Sequence, residues 1–346
     1  MRPTRSLGIF LLLATPAAAQ VRQPIKALTY PEAVTAETAR LEFHVATPTH
    51  GSLDKQIQSA IQELTSKHRG ARFIKVRVFA APADLAASRK AVTAFIGNAH
   101  ALPPVISLVG VAGFPDSAQH VAIEATLSTG RTLNPNGLGF IAGLASPAGE
   151  RTIAGLARVT REMTIPDSNV LRISCFYESP SQVDSARAGI AATFPKAEAL
   201  FVYSFSQNAK PLIECEAMAR LANTPAQPVQ YFNRAGITAS TNYSQAAFVG
   251  TQKVIFLASQ ETSEATDSAF TALFERMQAA VTPLGASLVD AVMADYYWLT
   301  PDARDMSRTV RVRFLGGTVP AATGVFFAGL ASGSKGAGID LVVAVR

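Results

Sequence analysis

Two carboxylates are the first candidates for chemistry: Glu124, in the apolar run Val121-Ala122-Ile123-Glu124-Ala125, and Glu216, in Ile213-Glu214-Cys215-Glu216-Ala217. An unpaired charge on an apolar strand is costly to bury. Each therefore either faces solvent or a neighbouring Arg, or lines a cleft in which a carboxylate holds water or a ligand amine. His120 shares strand parity with Glu124, an arrangement that suits an acid and base working as a pair and equally suits a surface contact. Tyr243 is a candidate cleft residue whose hydroxyl could meet a ligand, and it also reads as an ordinary half-buried aromatic.

Other chemistries find less support. His44, His50, His68, His100 and His120 form no i,i+4 pair and no Cys/His spacing, so no metal site is expected. The glycine-rich stretch from Gly329 to Gly338 lacks a Gly-Lys-Ser/Thr ending before a helix and reads as a strand-connecting turn. No Gly-x-Ser-x-Gly elbow occurs, and no cofactor is expected. Cys175 and Cys215 both lie in apolar runs. They read as two small buried hydrophobes of one sheet, with a disulfide as the alternative that export would allow.

The elements that must position these residues come in triplicate. Pro82 with Arg89, Pro180 with Arg187 and Pro301 with Arg308 recur at one spacing, and Phe95, Phe194 and Phe314 follow. Around each landmark the pattern predicts helix, apolar strand, Pro loop, second helix and two apolar strands. The three arginines are expected on exposed helix faces or between units. The first unit, 38–130, is expected to hold strands at 39–46, 73–79, 105–111 and 120–126 and helices at 54–68 and 84–96. The second, 131–222, repeats this with strands at 140–144, 170–177, 199–205 and 211–219. The third, 226–346, has single strands at 247–257, 288–298, 322–330 and 338–345, with an extra strand at 229–232. Each unit is an α+β two-layer sandwich. Repeats of this kind bury their apolar faces against their siblings.

Composition agrees with extensive burial: 48% of residues are hydrophobic and 16% charged. The +6 formal charge is spread singly, two of it on Arg2 and Arg5, so no nucleic-acid groove is indicated. Arg2 and Arg5, the apolar run from Leu7 to Leu13 and Ala17-Ala18-Ala19 read as a signal peptide over 1–19. The expectation is a periplasmic or secreted protein, not membrane-bound after cleavage.

Several segments resemble the Rid family, also called YjgF-like or L-PSP proteins. Asn242-Tyr243-Ser244-Gln245-Ala246 is similar to its Pro-Tyr-Ser-Gln-Ala loop, Phe256-Leu257-Ala258-Ser259-Gln260 to its Tyr-Val-Ser-Gly-Gln strand end, and Gly285 to Val292 to its Gly-Ala-Ser-Leu-Asp-Asp-Val segment. The runs ending in Glu124-Ala125 and Glu216-Ala217 resemble its Val-Glu-Ile-Glu-Ala end. The resemblance implies chorismate-mutase-like sandwiches. Family members are homotrimers with ligand clefts between neighbours, so three fused units imply an intramolecular pseudo-trimer that is monomeric as a chain.

It also implies hydrolysis of imines and enamines to 2-keto acids and ammonia. In that reaction a strand Arg clamps the substrate carboxylate and a Glu on the last strand holds the water. The Arg position falls at Ile106, about Ala199, and Ala322; the Glu position falls at Glu124, Glu216 and Val342. The resemblance thus assigns Glu124 and Glu216 as catalytic, with Tyr243, Ile106 and Ala322 lining the substrate site. None of the three Arg positions is basic, which forfeits roughly 1.5–3 kcal/mol of charge-assisted binding. Two readings follow: a deaminase-type hydrolase, or a non-catalytic metabolite-binding or scaffold protein.

Overall fold

The computed structural model describes residues 30–99, 102–205, 209–233, 240–317, 319–333 and 335–346. The expected signal peptide and His100 lie outside them. The first repeat contains β1 (Ala33–Glu37), β2 (Leu41–Val45), α1 (Leu53–Lys67), β3 (Arg72–Ala80), α2 (Leu85–Ala99), β4 (Val105–Gly110) and β5 (Val121–Ser128). The second contains β6 (Leu138–Ser146), α3 (Gly149–Glu162), β7 (Val170–Tyr177), α4 (Val183–Thr193), β8 (Glu198–Tyr203) and β9 (Ile213–Arg220). The third begins with β10 (Val229–Phe232), β11 (Ala246–Val249), β12 (Lys253–Leu257), β13 (Gln260–Glu261) and α5 (Asp267–Val281). It ends with β14 (Ala291–Trp298), α6 (Pro301–Leu315), β15 (Ala321–Phe326), β16 (Gly329–Leu330) and β17 (Ala337–Val345).

The same strand order recurs in three sheets: β4-β3-β5-β2, β8-β7-β9-β6 and β15-β14-β17-β12. In each, the middle strand pairs parallel with one neighbour and antiparallel with the other. A register shift falls at the same place each time, between Phe73 and Lys75, Val170 and Arg172, and Ala291 and Met293. The registers make Arg77, Ser174 and Asp295 equivalent, each opposite an acid: Glu124, Glu216 and Asp340.

Two expected single strands are broken, and both breaks join repeats together. The run 247–257 turns at Gly250, so that β11 pairs with β6 of the second sheet while β12 stays in the third. The run 322–330 also divides, and β16 pairs with β4 of the first sheet. β1 in turn leaves its own repeat to pair with β12. Backbone bridges complete the circuit: Gly113 with Tyr203, Phe205 with Phe326, and Ala328 N–H to Gly110 O at 2.8 Å.

Both faces of each sheet are consequently buried, which explains the nearly continuous apolar runs. One face packs under its own helix pair: Val76 and Val78 with Ile57 and Val92, Ile173 with Ile153, and Ala294 with Phe274. The other faces inward to the other sheets. Cys175 and Cys215 lie directly opposite on β7 and β9 and form a disulfide. The reading of two unlinked hydrophobes is corrected: facing positions on adjacent antiparallel strands hold the sulfurs within bonding reach. Among the described residues no helix is long and apolar enough to cross a membrane.

Candidate functional site

Strand alternation puts Lys75, Arg77 and Phe79 on the inward face of β3. The matching residues are Arg172, Ser174 and Phe176 on β7, and Met293, Asp295 and Tyr297 on β14. Arg77 is 3% exposed, and its guanidinium joins all three sheets. Nε donates to Glu124 Oε2 at 2.7 Å, Nη2 lies 2.8 Å from Glu216 Oε1, and Nη1 lies 2.7 Å from Asp295 Oδ2. Ser174 Oγ donates to Glu124 Oε1. Lys75 Nζ reaches Asp340 Oδ2 at 2.9 Å, and Asp340 also accepts from Ser107 at 2.7 Å and Tyr297 at 2.8 Å.

The protonation of this cluster follows from its charges. Burial alone would raise Glu124, but Arg172 and Arg77 outweigh it and hold the carboxyl below its ordinary range. Asp295 goes the other way: burial and the charge of Glu216 push it well above its ordinary range, against Arg77. Protonated Asp295 is within hydrogen-bonding reach of Glu216. Glu216 Oε2 and Asp295 Oδ1 otherwise have no partner, and a proton between the two carboxyls supplies one. Beside Asp295, the acids Glu124, Glu216 and Asp340 face the bases Lys75, Arg77 and Arg172. The enclosed void here is about 20 Å³, too small for a metabolite.

Glu124 and Glu216 are therefore brought together, but in the closed centre and not in a cleft between repeats. Of the two sequence readings, the neighbouring Arg is the one observed. His120 does not join Glu124; its backbone N–H donates to Gln56 Oε1 at 2.9 Å. Val342 is not the third equivalent of the two glutamates, because the register puts Asp340 there. Ile106 is buried beneath the helices of its own repeat.

Tyr243 and Ala322 do meet, in a cleft of about 390 Å³ between the second and third repeats. Glu214 and Gly143 line it from the second repeat, Arg308 and Arg311 from α6. Thr300 caps this helix by accepting from Ala303 N–H, with Pro301 at its first position, and its Arg308–Arg311 face lies at the cleft. Arg311 is 5% exposed; it donates to Asn242 Oδ1 at 2.8 Å and lies over the Tyr296 ring at 5.6 Å. Arg308 lies over the Trp298 ring at 5.5 Å. Among the described residues no carboxylate pairs with either. Burial, then Arg304 and Arg311, hold Arg308 below its ordinary value.

Across the cleft, burial pushes Glu214 up to about 8, opposed by the Gly324 N–H. At neutral pH it is a proton donor and not an anion. Of the two places expected for the recurrent arginines, Arg308 takes the one between units, whereas Arg89 and Arg187 are on exposed helix faces. Sequence reasoning missed Arg311 and Glu214. Arg311 sits three residues past Arg308, on the same helix face. Glu214 shares strand parity with Glu216, so an inward direction was available for both.

A third group lies between the first and second repeats. Glu42 and His44 project from one face of β2 and meet His68, the residue that ends α1, and Glu198 at the start of β8. Helical spacing could not reveal this, because the contributions come from three elements.

No family model matches the chain, and no curated protein matches it. Among solved structures it is similar to a YjgF family protein from Neisseria meningitidis, at 20% identity and a TM-score of 0.25, covering 34% of this chain and 95% of that one. It is also similar to RidA from an Antarctic Psychrobacter, at 22% identity and a TM-score of 0.25, covering 34% and 99%. A Rid family protein from Yersinia pestis gives 15% identity and a TM-score of 0.31, covering 34% and 99%.

Proposed function

We propose that the chain is an exported, tandem Rid-like pseudo-trimer, monomeric as a polypeptide, whose cleft between the second and third repeats binds a small anionic metabolite. The observation that carries this reading is the Arg308–Arg311 pair facing the cleft with no carboxylate partner among the described residues. Ala322, at the strand position where the sequence resemblance expects an Arg, contributes no charge, and the helix supplies it from another direction. Glu214, neutral at pH 7, does not cancel that charge and can donate a hydrogen bond to an anion. Tyr243 and Asn242 add polar contacts. The Cys175–Cys215 disulfide supports export.

The test is calorimetric titration of the full chain with a panel of 2-keto acids, pyruvate and 2-ketobutyrate among them, beside Arg311→Met and Arg308→Met. Removing one charge-assisted contact of roughly 1.5–3 kcal/mol predicts a ten- to hundredfold weaker Kd. Absence of binding by every acid, or Kd values in both variants unchanged from wild type, would contradict the reading.

A second reading, imine hydrolysis, is favoured by one observation: Glu214 lies in the cleft as a protonated acid at neutral pH, suited to proton transfer. Ammonia release from 2-iminopropanoate generated in situ, compared between wild type and Glu214→Gln, checks it. A rate equal to buffer would leave binding alone.

A further inference from the structure

The group between the first two repeats has the geometry of a metal site. Glu42 Oε2 lies 3.3 Å from His44 Nε2 and 3.0 Å from His68 Nδ1. All three atoms fall within 4.8 Å of one another. Tetrahedral coordination with bonds of about 2.0–2.1 Å spaces ligand atoms about 3.3–3.4 Å apart. The three donors therefore already surround a point that an ion could occupy with small side-chain adjustments.

The surroundings match as well. The other nitrogen of His44, Nδ1, is bound by Glu198 Oε1 at 2.8 Å, and Glu198 Oε2 is fixed by the Val45 N–H at 2.5 Å. A carboxylate on the far nitrogen is the usual support of a metal-bound imidazole: it selects the tautomer that leaves Nε2 free to coordinate. Charge points the same way. Glu42 and Glu198 bring two negative charges, and the nearby Lys67 is engaged by Glu63 at 2.5 Å. Arg131, 77% exposed and 3.5 Å from Glu42 Oε1, is the guanidinium within ion-pair reach. A divalent cation would neutralise the group. Beside it opens a cleft of about 350 Å³, lined also by Thr47 and Ala199.

We propose that Glu42, His44 and His68 bind one divalent transition-metal ion of the zinc type, with Glu198 positioning His44 and a fourth coordination place open to the cleft. Two imidazoles and one carboxylate are a donor set that suits zinc, and three protein ligands leave room for water or a ligand group. This site shares no residue with the Arg308–Arg311 cleft, so it stands whether or not that cleft binds anions. The competing arrangement is a metal-free chain in which a proton on His44 links Glu42 and Glu198.

The experiment uses the untagged full chain, stripped with a chelator and titrated with Zn(II) by calorimetry and with Co(II) by visible absorption. One equivalent is expected, with the ligand-field bands of a four- or five-coordinate Co(II) ion. His44→Ala and His68→Ala should each lower affinity at least a hundredfold, Glu42→Gln should also weaken binding, and Glu198→Gln should weaken it ten- to hundredfold. His50→Ala, whose ring is exposed and bonded to Asp116, should change nothing. Far-ultraviolet dichroism of each variant reports folding, and His68→Ala with Glu42→Gln decides the matter if His44→Ala does not fold. No uptake by wild type, or uptake that persists in the folded variants, overturns the proposal in favour of the proton-linked network.

Discussion

Replacing Arg77 by Met leaves most of the side-chain volume and removes the one cation that touches Glu124, Glu216 and Asp295 together. Glu124, Glu216 and Arg77 are each at most 3% exposed, so water cannot take over the contacts. Breaking a single buried pair costs about 3–5 kcal/mol, chiefly through the charge left behind. Arg77 serves three acids, but contacts that share one group do not add. The upper end, about 5 kcal/mol, is therefore expected, equivalent to a Tm lowered by about 7 °C in a chain of this length. The pH dependence should also change, because in wild type Glu124, held low, and Asp295, held high, contribute slopes of opposite sign and the variant loses the first. In wild type the depressed Glu124 contributes stability present above its unfolded value and lost as pH falls through its folded value. In Arg77→Met the stranded carboxyls hold their protons more tightly folded than unfolded, so acidification from neutrality toward the unfolded carboxylate range should stabilise the variant. The triple variant Arg77→Met, Glu124→Gln, Glu216→Gln should recover part of the loss, since neutral amides need no counter-charge. Denaturant midpoints measured across pH give all three results. A variant within about 1 kcal/mol of wild type, with the same pH slope, would refute the assignment of this cluster as a buried, charge-balanced unit.

Three further outcomes follow from the cleft and the middle sheet. Glu214, held at about 8, contributes stability that is full below its unfolded value and lost as pH rises through 8. Anion affinity in the cleft should stay level below that point and then fall by up to tenfold per pH unit, and Glu214→Gln should flatten the curve in calorimetry. Gly324→Ala would set a Cβ 2.1 Å from the Trp298 ring, which Ser307 holds through its indole nitrogen at 3.0 Å. Displacing that indole should cost about 1–3 kcal/mol and weaken ligand binding, and an unchanged denaturation midpoint would speak against the packing. The Cys175–Cys215 bond closes a separation of 40 residues, for which chain entropy gives about 4 kcal/mol. The Cys175→Ala, Cys215→Ala double variant should lose that order of stability by denaturant titration, and a loss below about 1 kcal/mol would count against it.

The repeat was legible because each copy carries its own punctuation: Pro82, Pro180 and Pro301 stand just past a strand and before a helix. What escaped was the exchange of strands. The run through Gly250 is apolar on both sides of a turn, and composition cannot tell two strands in two sheets from one strand in one. The direction of Lys75, Arg77, Arg172 and Asp295 escaped for a different reason. Alternating charges on a strand ordinarily mark a solvent face, and only the closing of three sheets on one another turns that face inward. The signal that was present is scarcity: in a chain with 16% charged residues, both basic residues of Phe73–Phe79 share one parity with the acid-bearing parity of β5. The cleft face of α6 was half legible, through the recurrent Arg308, which was expected on an exposed helix face or between units. The Glu42–His44–His68 group was half hidden: Glu42 and His44 share a face of β2 by their spacing, but only the fold brings His68, at the end of α1, to them.

One position explains why three unlike repeats in a single chain can hold what identical ones cannot. At the equivalent places Arg77, Ser174 and Asp295, the side chains converge from three sheets within hydrogen-bonding distance of one guanidinium. Were all three Arg, three cations would meet in a space of about 20 Å³, and like charges that close without water repel by several kcal/mol. Were all three Asp, six carboxyls would face one another with no cation in that layer. A chain with distinct repeats can place one Arg, one small hydroxyl and one acid there, and let Lys75 and Arg172 balance the remainder. The same freedom separates the clefts: the one beside Ala322 gains arginines from α6, whereas the one beside Ala199 gains His44, His68 and Glu198. Distinct repeats thus allow an asymmetric centre and clefts lined by different residues in one chain.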